Sequence, residues 1–96
     1  MVKFEWDDAK NRANRRKHGV GFETASLVFD DPFALMVQNR FENGEERWLA
    51  IGRIAETVVL VVAHTVRTRP GTEVIRIISA RKAERSERKR YEEQAY

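Results

Sequence analysis

The sequence contains no cysteine, and only two prolines and two histidines occur among its 96 residues. The absence of cysteine excludes disulfide bonds and thiolate metal ligands, and two histidines cannot by themselves form a histidine-rich zinc site. No apolar run approaches the roughly 18 residues of a membrane-spanning helix, and the N-terminus lacks the apolar segment of a signal peptide. We therefore expect a cytoplasmic protein with no membrane association.

Positive charge is concentrated in two segments of the sequence. The chain has 18 Lys and Arg residues against 15 Asp and Glu residues, which gives a formal net charge of +3. Residues 10–18 contain five Lys or Arg residues and no acid, and residues 81–90 contain six such cations and two acids. Clusters of this kind are typical of surfaces that bind polyanions, although solvated helix faces have the same composition. Both interpretations are open from composition alone.

The hydrophobic patterns predict a single domain, residues 1–96, of the α+β class. The predicted elements are a short strand or extended segment at Val2–Trp6, helices at Asp8–His18, Phe22–Phe29 and Ala80–Gln94, and strands at Ala34–Arg40, Glu46–Ile54, Thr57–Val66 and Glu73–Ser79. Short consecutive strands favour an antiparallel meander. We expect a small antiparallel four-stranded sheet with two N-terminal helices and one C-terminal helix, and with the helices on one face.

Capping and turn residues support these boundaries. Asp7 is a suitable N-cap for the first helix, and Gly19 is a suitable residue to follow its cationic last turn. Asn43 and Gly44 form a strong hairpin signal between the first two strands of the meander. Ser79 is a candidate N-cap for the final helix.

The side chains that could carry chemistry are mostly cationic. The sequence has no glycine-rich phosphate loop, no GxSxG motif and no cysteine nucleophile. His64 and Arg67 lie at the end of the most apolar strand on opposite parities, and Arg76 interrupts an apolar face of the next strand. An arginine at such a position needs a carboxylate of the domain or a phosphate ligand. The predicted final helix also carries a stripe at i,i+4 spacing, formed by Arg81, Arg85 and Lys89.

A histidine together with several arginines suits RNA cleavage by transesterification. In this reaction a proton leaves the 2′-OH, negative charge develops on the phosphorane, and a proton is given to the leaving 5′-oxygen. His64 could transfer a proton, because the ordinary pKa of imidazole lies near neutrality, and arginine suits bidentate phosphate binding. A histidine at a strand end also occurs as a hydrogen-bonded structural residue, and this alternative stays open.

A series of short segments is spread in order over nearly the whole chain. The N-terminal segments are Phe4-Glu5-Trp6-Asp7, Lys10, Asn14, Lys17-His18-Gly19 and Phe22…Ala25…Val28-Phe29-Asp30. The C-terminal segments are Glu46-Arg47-Trp48, Ile51-Gly52, His64-Thr65…Arg67, Ile75 to Ala83, and Glu87-Arg88…Tyr91. In this order and spacing they resemble the BrnT family of type II toxins.

The resemblance implies a compact RelE-like fold and an endoribonuclease toxin that inhibits translation by cutting RNA without a metal or organic cofactor. It also implies neutralisation by a BrnA-type antitoxin with a ribbon-helix-helix domain, and contact with operator DNA only through the toxin–antitoxin complex. The matching positions assign the catalytic region to His64, Arg67, Arg76, Arg81 and Lys82, with Tyr91 as a weaker candidate. The basic segments supply the expected RNA-binding residues, which are Arg85, Lys89, Lys10 and Lys17.

Two other classes of function fit the composition. One is a non-catalytic nucleic-acid-binding module, which the basic segments favour although no helix-turn-helix pattern or stacking surface of repeated aromatics is evident. The other is a protein-interaction domain whose basic faces meet an acidic partner. We interpret Trp6, Trp48, Phe22 and Phe29 as packing residues of the core or of an interface rather than as substrate-stacking residues.

Overall fold

The computed structural model of the protein describes residues 1–94, so the last two residues of the predicted domain lie outside the described residues. Its elements are β1 (Val2–Glu5), α1 (Asp8–His18), α2 (Phe22–Ala25), a 3-10 helix (Ser26–Asp30), β2 (Leu35–Glu42), β3 (Glu45–Ala55), β4 (Val58–Arg69), β5 (Thr72–Lys82) and α3 (Arg85–Gln94). The first helix and its caps are confirmed. The Asp7 carboxylate accepts a hydrogen bond from the Lys10 N–H at 3.0 Å, and Gly19 ends the helix with a φ of +73°.

The strands form one mixed sheet in the order β1-β5-β4-β3-β2. Strands β2 to β5 form the predicted antiparallel meander, whereas β1 pairs in parallel with β5, from Val2 opposite Glu73 to Glu5 opposite Arg76. The prediction of a four-stranded, purely antiparallel sheet is therefore wrong. The N-terminal strand has only four residues and its partner is distant along the chain, so no local pattern indicates the pairing.

Helices pack on both faces of the sheet, so the prediction that they share one face is also wrong. On one side α2 and the 3-10 helix cover a core that includes Phe22, Val28, Leu60 and Val62, and α1 lies in the same layer. On the other side α3 places Tyr91 against a smaller cluster of Ile51, Val59 and Val61. We call the first side the three-helix face and the second the arginine face, for the side chains described below.

The second predicted helix is confirmed in its position along the chain, but it is not one continuous α-helix. It divides into one turn of α-helix and a 3-10 helix, and it ends before Pro32 as expected. The 3-10 helix lies directly on β3, where an added Cβ at Gly52 would come within 2.8 Å of the Val28 side chain. Glycine at this position therefore allows the close approach of helix and strand.

The final helix begins later than predicted, because β5 continues to Lys82 and α3 starts at Arg85. Ser79 is a strand residue and caps nothing; instead the Glu87 carboxylate accepts a hydrogen bond from the Glu84 N–H at 2.8 Å. This contact is half of a capping box. The predicted helical stripe is also wrong, since Arg81 lies in the strand and only Arg85 and Lys89 lie in the helix.

Helix α1 attaches to the domain through amides rather than apolar side chains. Asn14 donates to the Ala80 carbonyl at 2.7 Å and to the Val20 carbonyl at 2.9 Å, and it accepts from the Ala80 N–H at 3.2 Å. Asn11 accepts from the Phe22 N–H at 2.8 Å, and both asparagines are buried. Because β1 ends at Glu5, Asn14 takes the place of a strand partner at this part of the β5 edge.

Candidate active site

A row of polar side chains crosses the arginine face from one edge of the sheet to the other. Arg40 of β2 pairs with Arg47 of β3, Thr65 of β4 pairs with Arg76 of β5, and Arg76 pairs with Glu5 of β1. In the β3–β4 pair Trp48 lies opposite His64. The next residue on each strand along this row is Arg47 on β3 and Thr65 on β4, so these two residues lie side by side at its centre. Every strand therefore contributes one polar residue to the same band of the sheet.

Each carboxylate in this region is shared by two arginines. Glu5 forms ion pairs with Arg67 and with Arg76, the latter at 3.5 Å. Glu42 lies 2.9 Å from the Arg40 guanidinium and 3.3 Å from that of Arg47.

Each group of two arginines and one shared carboxylate therefore carries one net positive charge. The guanidinium side chains of Arg67 and Arg76 are 47% and 43% exposed, so an anion from solvent can reach them. Exposed ion pairs of this kind are weak, and a phosphate can compete with Glu5 for the guanidinium donors.

Thr65 lies at the centre of the row with an unused hydroxyl group. The residue is only 4% exposed, and its Oγ1 has no hydrogen-bond partner among the described residues. A buried hydroxyl without a partner costs roughly 1–3 kcal/mol. Thr65 lies beside Arg76 in this row, but the hydroxyl oxygen is buried beneath the arginines and is closed to solvent.

Arg81 occupies the same face farther along β5, where it lies opposite Val61. Its guanidinium donates two hydrogen bonds to the Glu87 carboxylate, at 2.7 and 2.9 Å. These hydrogen bonds raise the pKa of Arg81 and lower that of Glu87. Arg81 therefore fixes the start of α3 against the sheet, and it is less available to an anion than Arg67 and Arg76.

The structure separates His64 from the three predicted arginines. The imidazole lies on the three-helix face and is 2% exposed, with its ring edge-to-face against Phe29 at a centroid distance of 4.8 Å. Its Nδ1 lies 3.1 Å from the Val62 carbonyl oxygen. Burial lowers the pKa of His64 below its ordinary value, although the contact with Val62 opposes this effect. The ring is therefore neutral at pH 7.

The remaining predicted residues do not gather at one place. Lys82 pairs with Leu60, which puts it on the three-helix face, and Lys10 and Lys17 lie on the exposed surface of α1. Arg85 and Lys89 are exposed on α3, where the Lys89 ammonium lies 4.0 Å from Glu93. Only the α3 pair borders the arginine face.

Tyr91 is held inside the domain instead of facing solvent. Its hydroxyl donates a hydrogen bond of 2.5 Å to Asp31, and the same carboxylate accepts from the Arg53 and Phe33 N–H groups at 2.8 and 2.9 Å. Burial, followed by the contact with Asp31, raises the pKa of Tyr91. Burial acts to raise the pKa of Asp31, but its three hydrogen bonds outweigh this effect and lower it. Tyr91 therefore connects α3 to the segment that follows the 3-10 helix and, through Asp31, to β3.

Sequence reasoning missed Arg40, Arg47, Glu5 and Thr65 as members of this site. Arg47 could have been found from the strand alternation, because it lies on the same face of β3 as the apolar residues Leu49 and Ile51. Glu5 could not be found in this way because the pairing of its strand with β5 was not predicted. Arg40 was hidden by a bulge between Gln38 and Arg40 that shifts the parity of β2.

The described residues 1–94 contain no group of three or more His, Asp or Glu side chains arranged to hold a metal ion. In the same part of the chain, none of the helices combines the length and apolar character needed to cross a bilayer.

Comparisons with known proteins agree with a ribonuclease class. A family of ribonuclease toxins from type II toxin–antitoxin systems matches residues 6–87. The family is BrnT, and because the match covers most of the sequence, the chain belongs to it. The resemblance drawn from the sequence is thereby confirmed.

One solved structure supports the fold assignment. The Brucella abortus ribonuclease toxin BrnT, known from a crystal structure at 1.1 Å resolution, superposes with a TM-score of 0.67. The match covers 88% of this chain and 100% of the Brucella chain at 23% sequence identity, so it supports a shared fold. No curated protein matches the chain.

Proposed function

We propose that this chain is an endoribonuclease that cuts RNA by transesterification on the arginine face and thereby inhibits translation in the cytoplasm. The observation that carries the proposal is the band of Arg47, Thr65, Arg76 and Arg67 on an open sheet face, with only two shared carboxylates to balance it. Membership of a ribonuclease toxin family supports the same reaction class.

The chemistry follows from the charges of this surface. In transesterification the 2′-OH gives up its proton to water and its oxygen forms a bond to phosphorus. The bond from phosphorus to the 5′-oxygen breaks, and this oxygen takes up a proton from water, which leaves a 2′,3′-cyclic phosphate and a 5′-OH. Guanidinium groups of Arg67 and Arg76 would bind the phosphate in place of Glu5 and stabilise the charge that develops on its oxygens. Arginine stays protonated, so it supplies this stabilisation without transferring the proton. A metal ion is not required for this stabilisation.

The predicted residues take different parts in the proposal. In the proposal Arg67 and Arg76 contact the phosphate, and Arg81 holds the start of α3 against the same face of the sheet. Arg85 and Lys89 extend the basic surface along α3 for the RNA backbone. The roles predicted for His64 and Lys82 in catalysis, and for Lys10 and Lys17 in RNA binding, stay predictions because these four residues lie away from the arginine face.

A partner also belongs to the proposal. A type II toxin has an antitoxin, and we propose one of the BrnA type with a ribbon-helix-helix domain. Contact with operator DNA would then occur through that antitoxin.

The test is cleavage of a 5′-labelled RNA by the partner-free protein in EDTA, on free RNA and in a cell-free translation reaction. We expect products with 2′,3′-cyclic phosphate or 3′-phosphate ends, and no cleavage of DNA of the same sequence. Arg76→Ala should lose cleavage, whereas Arg12→Ala, an exposed arginine on α1, should retain it. A folded wild-type protein that binds RNA but cuts it in neither setting would identify a binding module instead.

A further inference from the structure

An apolar groove lies on the three-helix face, at the end of the sheet that the helices leave uncovered. It has a volume of about 300 Å³, and its walls include Phe29, Met36, Trp48, Val66 and Ile75. Met36 is 46% exposed and Val66 is 39% exposed, and Val2 and Phe41 beside them are 52% and 68% exposed. Exposed apolar side chains gathered at one groove indicate a binding surface.

The groove crosses all five strands of the sheet. Met36 lies on β2, Trp48 on β3, Val66 on β4 and Ile75 on β5, and the neighbouring pocket reaches Val2 on β1. Four strand spacings of about 4.8 Å give a length of roughly 19 Å. A helix of about 13 residues has that length. The groove therefore matches such a helix in length.

Acidic side chains surround the groove. Asp30, Glu46 and Glu73 line this groove and the pockets that continue it, and the one cation among the lining residues is Arg67. Arg67 is already paired with Glu5. An acidic rim repels an RNA backbone and attracts lysine and arginine.

The charge distinguishes three possible occupants. A second copy related by a two-fold axis would bring the acidic rim of one groove against the acidic rim of the other, which is unfavourable. RNA would meet the acidic rim, and the arginine face on the opposite side suits it better. A protein segment with apolar residues flanked by lysine and arginine satisfies both the groove and its rim.

We propose that this groove binds an amphipathic helix of the antitoxin, about three turns long, with apolar residues on one side and lysine or arginine on its flanks. The inference rests on the antitoxin partner of the proposed function and assigns it a surface. Trp48, Phe29 and Met36 would contribute most of the binding energy, since aromatic and methionine side chains are enriched at such centres.

The groove also leads to the arginine face. Between the two hairpin tips the sheet opens into a cleft lined by Phe41, Trp48, Val66 and Arg67. A helix seated in the groove would pass beside this cleft where it crosses β3 and β4.

The test is binding of the proposed BrnA-type antitoxin, measured by calorimetry with the Met36→Glu and Val66→Glu variants. Both side chains are exposed, so the substitutions should leave the fold intact, which circular dichroism checks. We expect at least about tenfold weaker binding for each. Leu27→Glu is the matched control, because Leu27 is also 46% exposed but lies outside the groove. Glu46→Lys with Glu73→Lys should weaken binding and reduce its dependence on salt.

Three results would overturn the proposal. The first is antitoxin affinity unchanged in both groove variants, and the second is a wild-type dimer that Met36→Glu converts to a monomer. The third is a loss of RNA binding by the partner-free Met36→Glu protein. Antitoxin binding is measured without RNA, so it can be observed even if the wild-type protein does not cleave RNA. The groove proposal and the cleavage proposal can therefore be contradicted independently of each other.

Discussion

His64 and Thr65 are consecutive buried residues, but they belong to different parts of the molecule. The alternation of β4 points the imidazole toward Phe29 on the three-helix face and the hydroxyl toward Arg76 on the arginine face. The sequence predicts a chemical role for the histidine and none for the threonine. Because consecutive residues of a strand point to opposite faces, the two have different surroundings although both are buried in the middle of β4.

The burial of His64 predicts a loss of stability in mild acid. The folded state lowers the pKa of His64, so between that value and the ordinary 6.5 the unfolded chain binds more protons. The contribution to the free energy of unfolding is complete above about pH 6.5 and is lost as the pH falls through the lower, folded-state pKa.

Urea denaturation at pH 7.5 and pH 5.5 measures this effect. We expect a lower midpoint at pH 5.5 for the wild-type protein and a smaller difference for His64→Gln. Asp31 and Glu87 have lowered pKa values and titrate in stronger acid, outside this window. An equal pH dependence in both proteins would show that His64 is not responsible.

Removal of the Tyr91 hydroxyl should destabilise the domain without changing its fold. Tyr91→Phe keeps the packing against Ile51 and Val59 but removes the hydrogen bond to the Asp31 carboxylate. Hydrogen bonds to charged groups contribute roughly 1.5–3 kcal/mol. We expect the free energy of unfolding to fall by about that amount in urea denaturation, with an unchanged far-UV circular dichroism spectrum. A difference below a few tenths of a kcal/mol would contradict this account of how α3 is attached.

At the level of elements, strong local signals predicted most of the fold. The caps of α1, the Asn43-Gly44 turn and the alternation of β2 to β5 all depend on neighbouring residues, and these elements are confirmed. The parallel pairing of β1 with β5 depends on distant residues and was missed. The extension of β5 to Lys82 was missed because the cationic end of this strand has the composition of a helix. Ala80 is buried in the core there, but this burial depends on distant residues and leaves no local pattern.

The attachment of α1 through Asn14 is testable at this level. Asn14→Ala leaves the N–H and carbonyl of Ala80 and the carbonyl of Val20 without their partner in a buried place. Each unsatisfied group costs about 1–3 kcal/mol, so we expect a loss of at least about 2 kcal/mol in the free energy of unfolding. Hydrogen exchange should show faster exchange in α1 than in the wild-type protein. Lys17→Ala, an exposed change on the same helix, is the control and should alter neither quantity.

The molecule as a whole places two kinds of surface on opposite faces of one sheet. Arginines with shared carboxylates form one surface, and an apolar groove with an acidic rim forms the other. The sequence predicts Arg76, because a charge inside an apolar strand pattern is visible locally, and the resemblance to the BrnT family adds Arg67. The sequence could not predict the groove, since Met36, Trp48, Val66 and Ile75 come from four strands that only the folded sheet brings together.

The charge balance of the arginine face predicts the effect of removing a carboxylate. Glu5→Gln frees Arg67 and Arg76 from their shared partner and adds one net positive charge to the surface. We expect tighter RNA binding, by about threefold to tenfold at low salt, and a steeper dependence of the affinity on salt concentration. Fluorescence anisotropy with a short labelled RNA measures both. Glu56→Gln, an exposed carboxylate elsewhere on the surface, should have little effect, and weaker RNA binding by the Glu5 variant would contradict the assignment of this face.

The central claim is that arginines of the open sheet face, rather than the buried histidine, carry RNA cleavage. The most direct measurement is the single-turnover rate of RNA cleavage in EDTA by the wild-type, Arg76→Ala and His64→Gln proteins, each shown to be folded. Loss of one charge-stabilising donor typically slows such a reaction by about 10²–10³-fold, and we predict that loss for Arg76→Ala and a rate within about threefold of wild type for His64→Gln. A His64→Gln protein that has lost cleavage, beside an Arg76→Ala protein that keeps it, would contradict the account.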